Sequence, residues 1–313
     1  MRIPRFHLAV WVWLCVFTMF GWIAGGPEVQ ACSICRCGDA IFNAFGKAAY
    51  VSPGLRAALD VDRFDKDEGD PTVESESLIE NRIAILGSYT TERVALSVRV
   101  PYSFRELTER VAGEEPEKVQ SDGFSDPEVY GQVMLWGSEM SALGRRSTLA
   151  LTAGVKLPWG ENEVQSEGER LDEHAQSGTG STDVFASVGY LFLIDPNSSL
   201  FVSAGHRHTG ENDHGYRYGS AFLANLAYEH KMASRLDAMV ELNFRDAAKD
   251  RIDDEGTLNQ NTGGSLLYLT PKLGVELGGE IVLRGAVQIP TLSDLNGHQE
   301  ERAVVSVGMT RSF

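Results

Sequence analysis

The sequence ERAVVSVGMTRSF at residues 301–313 decides the fold, because its character alternates from one residue to the next. One face of an extended strand would carry the apolar residues Ala303, Val305, Val307, Met309 and Phe313. The other face would carry Val304, Ser306, Gly308, Thr310 and Ser312. As the edge of a soluble sheet, so apolar a strand would promote aggregation. In a closed barrel the last strand pairs with the first strand, so none of its backbone groups is left unpaired. The stretch therefore predicts the closing strand of a barrel. The alternative is the last strand of a soluble β-sandwich.

The same stretch points to a membrane. A Phe that ends a run of alternating apolar residues resembles the assembly signal of bacterial outer-membrane barrels. Arg311 departs from that signal, in which an aromatic or aliphatic residue is more usual at this position. The resemblance predicts localisation in the outer membrane of a Gram-negative cell.

The composition is compatible with such a barrel. The 313 residues include 32 Gly and 11 Pro, and 42% of them are hydrophobic, which suits one large all-β domain or two small ones. The slightly negative mean hydropathy is typical of a soluble protein, but in a barrel the lipid-facing and lumen-facing residues alternate and average out. The net charge of −16 argues against nucleic acid as a partner.

Alternating runs recur along the chain and are separated in turn by long loops and tight turns. The predicted strands lie near residues 55–61, 81–89, 94–102, 127–137, 147–158, 181–193, 199–209, 216–230, 235–246, 267–275, 281–289 and 301–313. This pattern predicts an all-β fold with a single transmembrane antiparallel β-barrel of about 12 strands. Residues 65–77, 105–125 and 159–179 are predicted exterior loops, and residues 138–146 and 194–198 are predicted periplasmic turns.

The N-terminal residues read as a targeting signal followed by a separate segment. Arg2 and Arg5 precede an apolar run at residues 8–23, and small residues near Ala31 suit cleavage. We therefore expect a secretory signal peptide at residues 1–31, with a retained membrane anchor as the alternative. A periplasmic segment at residues 32–53 and the barrel at residues 54–313 would follow.

Three cysteines, Cys32, Cys35 and Cys37, form a CxxCxC cluster in that segment. One interpretation is a disulfide between two of them with one thiol left over, and another is a soft metal with Asp39 or an external group as fourth ligand. Lipidation of Cys32 is a third. Arg36 stands where a c-type haem site needs His, and no other cofactor is expected.

If the apolar faces meet lipid, the opposite faces line the lumen. The predicted lumen residues are charged: Arg56, Asp60, Asp62, Arg82, Arg93, Arg99, Lys156, Arg207, Glu229, Arg235, Asp237, Glu241, Arg245, Lys272, Glu276 and Arg284. Charges of both signs either form a polar channel or pair with one another and fill the barrel. The channel is the favoured interpretation.

The predicted exterior loops are rich in carboxylates. These are Asp65, Asp67, Glu68, Asp70, Glu114, Glu115, Glu117, Glu161, Glu163, Glu167, Glu169, Asp172 and Glu173. Such a surface is solvated or bridged to lipopolysaccharide by divalent cations, and a cation-collecting vestibule is the alternative. A further hypothesis is a metal site formed by His206, His208 and His214, although their spacing fits no catalytic metal site.

Five short motifs carry a family resemblance. They are GFSDP at residues 123–127, GVKLP at 154–158, SGTGSTD at 177–183, GGSLLYLTP at 263–271 and QIP at 288–290. In this order and spacing they resemble the outer-membrane transporters named for the meta pathway of phenol degradation. Trp159 departs from the Thr expected after GVKLP. The resemblance implies a porin-like β-barrel transporter, and the phenol link is not carried over.

Together these features favour an outer-membrane channel or transporter for small solutes that is not an enzyme. Its expected partners are outer-membrane lipid, lipopolysaccharide and a small-molecule solute. The alternative is a barrel that docks a periplasmic redox or metal-binding protein through the CxxCxC segment. A lipase or protease in a barrel is disfavoured, because no Ser and His on one strand face align with an acid.

Overall fold

The computed structural model describes residues 53–313 except positions 71, 73, 114, 138–146, 167 and 253–255. The predicted signal peptide, the cysteine cluster and the predicted periplasmic turn at 138–146 lie outside the described residues. The hypotheses of a disulfide, a metal, a lipid or a docked partner at Cys32, Cys35 and Cys37 therefore stay predictions.

Strands make up most of the described part of the chain. The strands are β1 (Gly54–Asp70), β2 (Glu74–Thr90), β3 (Val94–Val111), β4 (Glu117–Phe124), β5 (Glu128–Gly137), β6 (Ser147–Lys156), β7 (Gln165–Ser166), β8 (Glu169–Arg170), β9 (Asp183–Asp195), β10 (Ser198–His208), β11 (Ala221–Ala233), β12 (Leu236–Ala247), β13 (Gly264–Gly278), β14 (Ile281–Leu295), β15 (Gln299–Glu301) and β16 (Val304–Ser312). No helix in the described residues is long and apolar enough to cross a membrane.

Pairing between neighbours closes the sheet into a ring of twelve strand positions. β4 and β5 share one position because both pair with β3, and β15 and β16 share another because both pair with β1. β1 also pairs with β2 over its whole length, so the sheet has no free lateral end. The prediction of a 12-strand antiparallel barrel is confirmed, and the β-sandwich alternative is wrong.

The two faces of each strand differ as the alternation predicts. On β16, Val305, Val307 and Met309 point outward and are about half exposed, whereas Val304 is buried inside. Ile85 on β2 is 62% exposed, while its neighbours Ala84 and Leu86 are buried. Apolar side chains on the outside of a barrel belong in lipid.

Aromatic side chains flank this apolar band at both ends. Tyr89, Trp136 and Phe313 are exposed near the end of the barrel where the chain makes its tight turns, here called the tight-turn end. Phe104, Phe124 and Trp159 are exposed toward the opposite end, the loop end. Such girdles mark the two membrane interfaces of an outer-membrane barrel.

The wall is taller on one side than on the other. β1, β2 and β3 have 17, 17 and 18 residues, whereas β5 and β6 have 10 each and β10 has 11. The prediction that residues 65–77 and 105–125 are loops is therefore wrong for most of both ranges. Their acidic, turn-rich composition suggests loops, but strand pairing continues above the apolar band, where both faces can be polar.

We expect a charge at the centre of the outward face to destabilise the barrel. Ile85→Arg should lower the free energy of unfolding in lipid vesicles by about 2–4 kcal/mol, measured by denaturant titration, because it places a guanidinium near the bilayer midplane. Tyr89→Arg, at the aromatic girdle of the same strand, is the matched control and should cost at most about 1 kcal/mol. Equal costs would contradict this placement of the membrane.

Candidate functional site

The loop between β6 and β9, residues 157–182, folds into the mouth of the barrel and is called the plug loop here. Its central residues 173–175 form one turn of 3-10 helix, capped by Asp172, whose carboxylate accepts a hydrogen bond from the His174 N–H at 2.8 Å. Gln176 donates to the carbonyl oxygens of Val164 and Leu171 at 3.1 and 2.8 Å. These hydrogen bonds within the loop stabilise its conformation.

Asp126 holds the two ends of the plug loop together at what we call the neck. Its carboxylate accepts hydrogen bonds from the backbone N–H of Gly160 at 2.9 Å and of Thr179 at 2.8 Å, and from the Thr179 hydroxyl at 2.6 Å. The backbones of Gly160 and Gly178 also meet, so closely that a Cβ on either would lie less than 3 Å from the other residue. Only glycine fits at this crossing.

A row of ion pairs runs from the neck along the lumen wall. Lys156 lies 3.4 Å from Asp126 and 2.9 Å from Asp183. Arg207 follows, 3.8 Å from Asp183 and 2.6 Å from Glu128, and its guanidinium lies 4.9 Å from the ring centroid of Phe185. Arg99 ends the row, 3.8 Å from Glu128. Buried charges of both signs are thus matched, as their desolvation requires.

The head of the plug packs into a small apolar core that spans the barrel. The wall contributes Phe64, Leu78, Leu107 and Val304, the plug loop contributes Ala175, and the β10–β11 loop contributes Tyr216 and Tyr218. β10 lies six strand positions from β1 in both directions around the ring. A loop that starts at β10 and shares one apolar core with Phe64 on β1 has therefore crossed the mouth.

His174 lies at the centre of the plug head and is 5% exposed. Its Nε2 is 3.2 Å from the Tyr216 hydroxyl, which donates a hydrogen bond of 2.6 Å to Asp250. Burial alone would lower the pKa of His174, but the carboxylates of Asp250 and Glu76, followed by those of Asp172 and Glu68, raise this pKa well above its ordinary value. The imidazolium is thus the favoured state at neutral pH.

Further hydrogen bonds seat the head against the tall side of the wall. Arg105 on β3 donates to the carbonyl oxygen of His174 at 3.0 Å and forms an ion pair of 3.1 Å with Glu80. Tyr218 donates to the backbone oxygen of Glu173 at 3.0 Å, and Asn212 donates to its carboxylate at 3.1 Å. Three elements, β3, the plug loop and the β10–β11 loop, are joined in this way.

The structure places most of the predicted lumen residues on the inward faces of their strands. These are Arg56, Asp60, Asp62, Arg82, Arg99, Lys156, Arg207, Glu229, Asp237, Glu241, Arg245, Lys272, Glu276 and Arg284. Arg93 and Arg235 lie instead in the tight turns before β3 and β12, where turn residues break the alternation. Inward partners include Lys272 with Glu241 at 2.8 Å and Arg245 with Glu301 at 2.5 Å.

The three predicted histidine ligands are not brought together. His206 and His208 lie on the outward face of β10, and His214 lies in the β10–β11 loop, 2.5 Å from Glu163. No group of three His, Cys, Asp or Glu residues in the described part of the chain is arranged to hold a metal. The histidine metal site is therefore wrong, because the residues after His208 leave the strand face.

The exterior carboxylates include several that are paired rather than simply solvated. Asp67 is 2.5 Å from Arg302, Glu68 is 3.7 Å from Lys66, and Glu173 is 2.9 Å from Arg170. Glu173 is moreover buried in the plug. A cation-collecting vestibule stays a prediction.

Comparison with known proteins agrees with this architecture. The family model described as "Putative MetA-pathway of phenol degradation" matches residues 61–288, which is more than half of the chain. The chain belongs to this family. A search of the curated proteins finds no match.

Solved structures show the same fold at low sequence identity. An outer-membrane channel from Pseudomonas putida F1 is 11% identical, with 83% of this chain and 96% of that one covered and a TM-score of 0.62. The translocator domain of the autotransporter NalP from Neisseria meningitidis is 9% identical, with 88% and 95% covered and a TM-score of 0.52. The protein is a β-barrel of the bacterial outer membrane.

Three of the motifs that carry the family resemblance meet at the neck of the plug. Asp126 belongs to GFSDP, Lys156 to GVKLP, and Thr179 and Asp183 to SGTGSTD. Sequence reasoning treated these Gly and Pro motifs as strand-end markers and missed Asp126, Asp183 and Glu128. The signal that could have found them was a carboxylate in or directly after GFSDP and another in SGTGSTD, each next to a strand end, together with the cation Lys156 in GVKLP.

We predict that Asp126→Ala loosens the neck and leaves the barrel intact. The substitution leaves two partly buried N–H groups without their acceptor, a loss on the order of 3 kcal/mol, or about 100-fold in the opening equilibrium. Cleavage of folded protein by a Glu-specific protease at Glu163 and Glu169 should accelerate accordingly, with heat-modifiable migration unchanged.

The matched control is Asp122→Ala on the outward face of the same segment, where Asp122 accepts a 2.5 Å hydrogen bond from Tyr102. This variant should resist cleavage in the plug loop like the wild type. An Asp126→Ala protein that is equally resistant would show that the neck does not depend on Asp126.

Proposed function

We propose that the protein is a channel that lets small water-soluble solutes cross the outer membrane, with the plug loop as its movable closure. The observation that carries this proposal is the polar, charged inner face of a closed barrel. No catalytic residues are expected, and passage through a channel requires none.

A barrel with only a structural role would gain stability from an apolar interior. Replacing buried ion pairs with well-packed apolar residues is often neutral or stabilising, because desolvation offsets much of the Coulomb attraction. Here Arg99, Lys156, Arg207, Asp183 and Glu128 instead line the wall beneath the plug. Polar lining is what a water-filled path requires, so the cost in stability supports a conducting role.

The plug explains how such a channel is kept closed. The plug head fills the mouth with a small core and a limited set of hydrogen bonds, while the wall strands keep their own pairing beneath it. The plug can therefore leave without breaking the barrel. The channel from Pseudomonas putida F1 shares the fold, which is consistent with this proposal.

Excision of the plug loop tests the function directly. Because the backbones of Gly160 and Gly178 touch, residues 161–177 can be replaced by two glycines without straining the wall. We expect at least a fivefold rise in single-channel conductance in planar bilayers and faster swelling of liposomes in small sugars.

The control shortens the exposed β3–β4 turn, with residues 112–116 replaced by two glycines, and should conduct like the wild type. Both proteins must show heat-modifiable migration, which reports a folded barrel. If the excised barrel is folded and conducts no more than the control, the channel proposal fails.

We further propose that the inward cations influence which ions pass. Arg284 and Asp60 flank Gly308 on the lumen wall, where no side chain of β16 intervenes. In the excised barrel, Arg284→Glu should shift the reversal potential in a salt gradient toward cation selectivity, because it reverses a charge beside the path. Arg311→Glu on the outward face changes the net charge equally and should leave selectivity unchanged. Equal shifts in both variants would place Arg284 outside the path.

A further inference from the structure

We propose that His174 is a proton-operated lock, so that the plug head stays seated while the imidazole is protonated and leaves the mouth when it loses the proton at alkaline pH. This inference concerns regulation of the site described above and rests on the proposed channel only for its transport consequence.

The geometry gathers negative charge around one buried imidazole. Within the plug loop, Asp172 lies 3.4 Å from Nδ1. Glu76 on β2 lies 4.0 Å from Nδ1, and Asp250 in the β12–β13 loop lies 3.8 Å from Nε2. These groups come from three separate elements, so the charge on His174 adds an electrostatic link between the plug loop, β2 and the β12–β13 loop.

Asp172, Glu76 and Asp250 form no ion pair with a lysine or arginine within the described part of the chain, and of the carboxylates around His174 only Glu68 has a lysine beside it. Glu68 on β1 adds a fourth carboxylate to the electrostatic surroundings of His174, and Lys66 lies 3.7 Å from Glu68. Arg105 on β3 is directed at Glu80 and at the backbone oxygen of His174, and Arg170 is 2.9 Å from Glu173. Tyr216 contributes a neutral hydroxyl.

The direction of the pH effect follows from linkage. The pKa of His174 is raised in the seated plug above its ordinary value of 6.5, whereas a released plug exposes His174 to water. The seated state therefore gains its full stabilisation below pH 6.5 and loses it as pH rises through the raised pKa. Above that pH, Asp172, Glu76 and Asp250 repel one another without the imidazolium between them, and Lys66 offsets only the charge of Glu68.

A thiol in the plug reports this release without any transport measurement. Ser177 is buried, and its hydroxyl makes no hydrogen bond within the described part of the chain, so Ser177→Cys is a mild change. Cys15, Cys32, Cys35 and Cys37 are first replaced by Ser. The labelling rate with a water-soluble maleimide is divided by the rate for Glu115→Cys in the same background, which removes the pH dependence of thiolate formation.

The expected ratio is low at pH 6–7 and rises at least tenfold at alkaline pH. In His174→Gln the ratio should already be high at pH 7, and in His174→Lys it should stay low to a higher pH than in the wild type, since lysine keeps its charge. His298→Gln, at an exposed loop residue of the same end, is the matched control and should follow the wild type.

A ratio that stays low to pH 10 in the wild type, or a His174→Gln plug as protected as the wild type at pH 7, would overturn the lock. If His174→Gln does not fold, the pH titrations of the wild type and of His174→Lys still test the lock. Single-channel conductance recorded over the same pH range separates the two proposals. If the labelling ratio rises with pH while the conductance does not, the channel proposal is contradicted and the lock is supported. If the barrel conducts but the labelling ratio does not depend on pH, only the lock is contradicted.

Discussion

The pairing of β1 with β16 is the interaction on which the rest of the structure depends. In lipid, an unpaired row of backbone N–H and C=O groups costs several kcal/mol per group, so a sheet that crosses the membrane must close. Closure through Arg56 opposite Ser312 and Arg63 opposite Val305 fixes which residues face out and which face in. A shift of one residue would turn Arg56 and Asp60 into lipid and Leu59 and Val61 into the lumen.

Closure also determines where the loops can go. β1, β2 and β3 continue their pairing well above the apolar band, while the opposite side ends near Lys156 and Asp183. The chain that leaves the short side has the tall wall across the mouth from it, and Tyr216, Tyr218 and Ala175 pack into one apolar core with Phe64, Leu78, Leu107 and Val304 of that wall. The taller side of the wall therefore provides the surface against which the plug packs.

The sequence was informative wherever the physics is local. Period-two alternation gave the strands and the orientation of Ile85, Val307 and Arg99, because a residue's face depends only on its parity along a strand. It failed at Lys66 and Glu68, which look like loop residues but lie in a paired strand, since above the membrane both faces can be polar. It could not place Asp126 beside Thr179 or His174 beside Glu76, because these contacts join residues more than 50 positions apart and depend on where the loops cross.

The plug divides its attachments between two kinds of chemistry. At the neck, Asp126 is held by backbone N–H groups and by the ammonium group of Lys156. At the head, the charge that unites Asp172, Glu76 and Asp250 sits on a histidine, the side chain that changes charge most readily near neutrality. A fixed neck keeps the ends of the loop together, so a released head remains tethered beside the mouth. Because the chain between Gly160 and Gly178 is closed in both states, reseating the head requires no new loop closure, and the entropy lost on return is confined to the residues of the head.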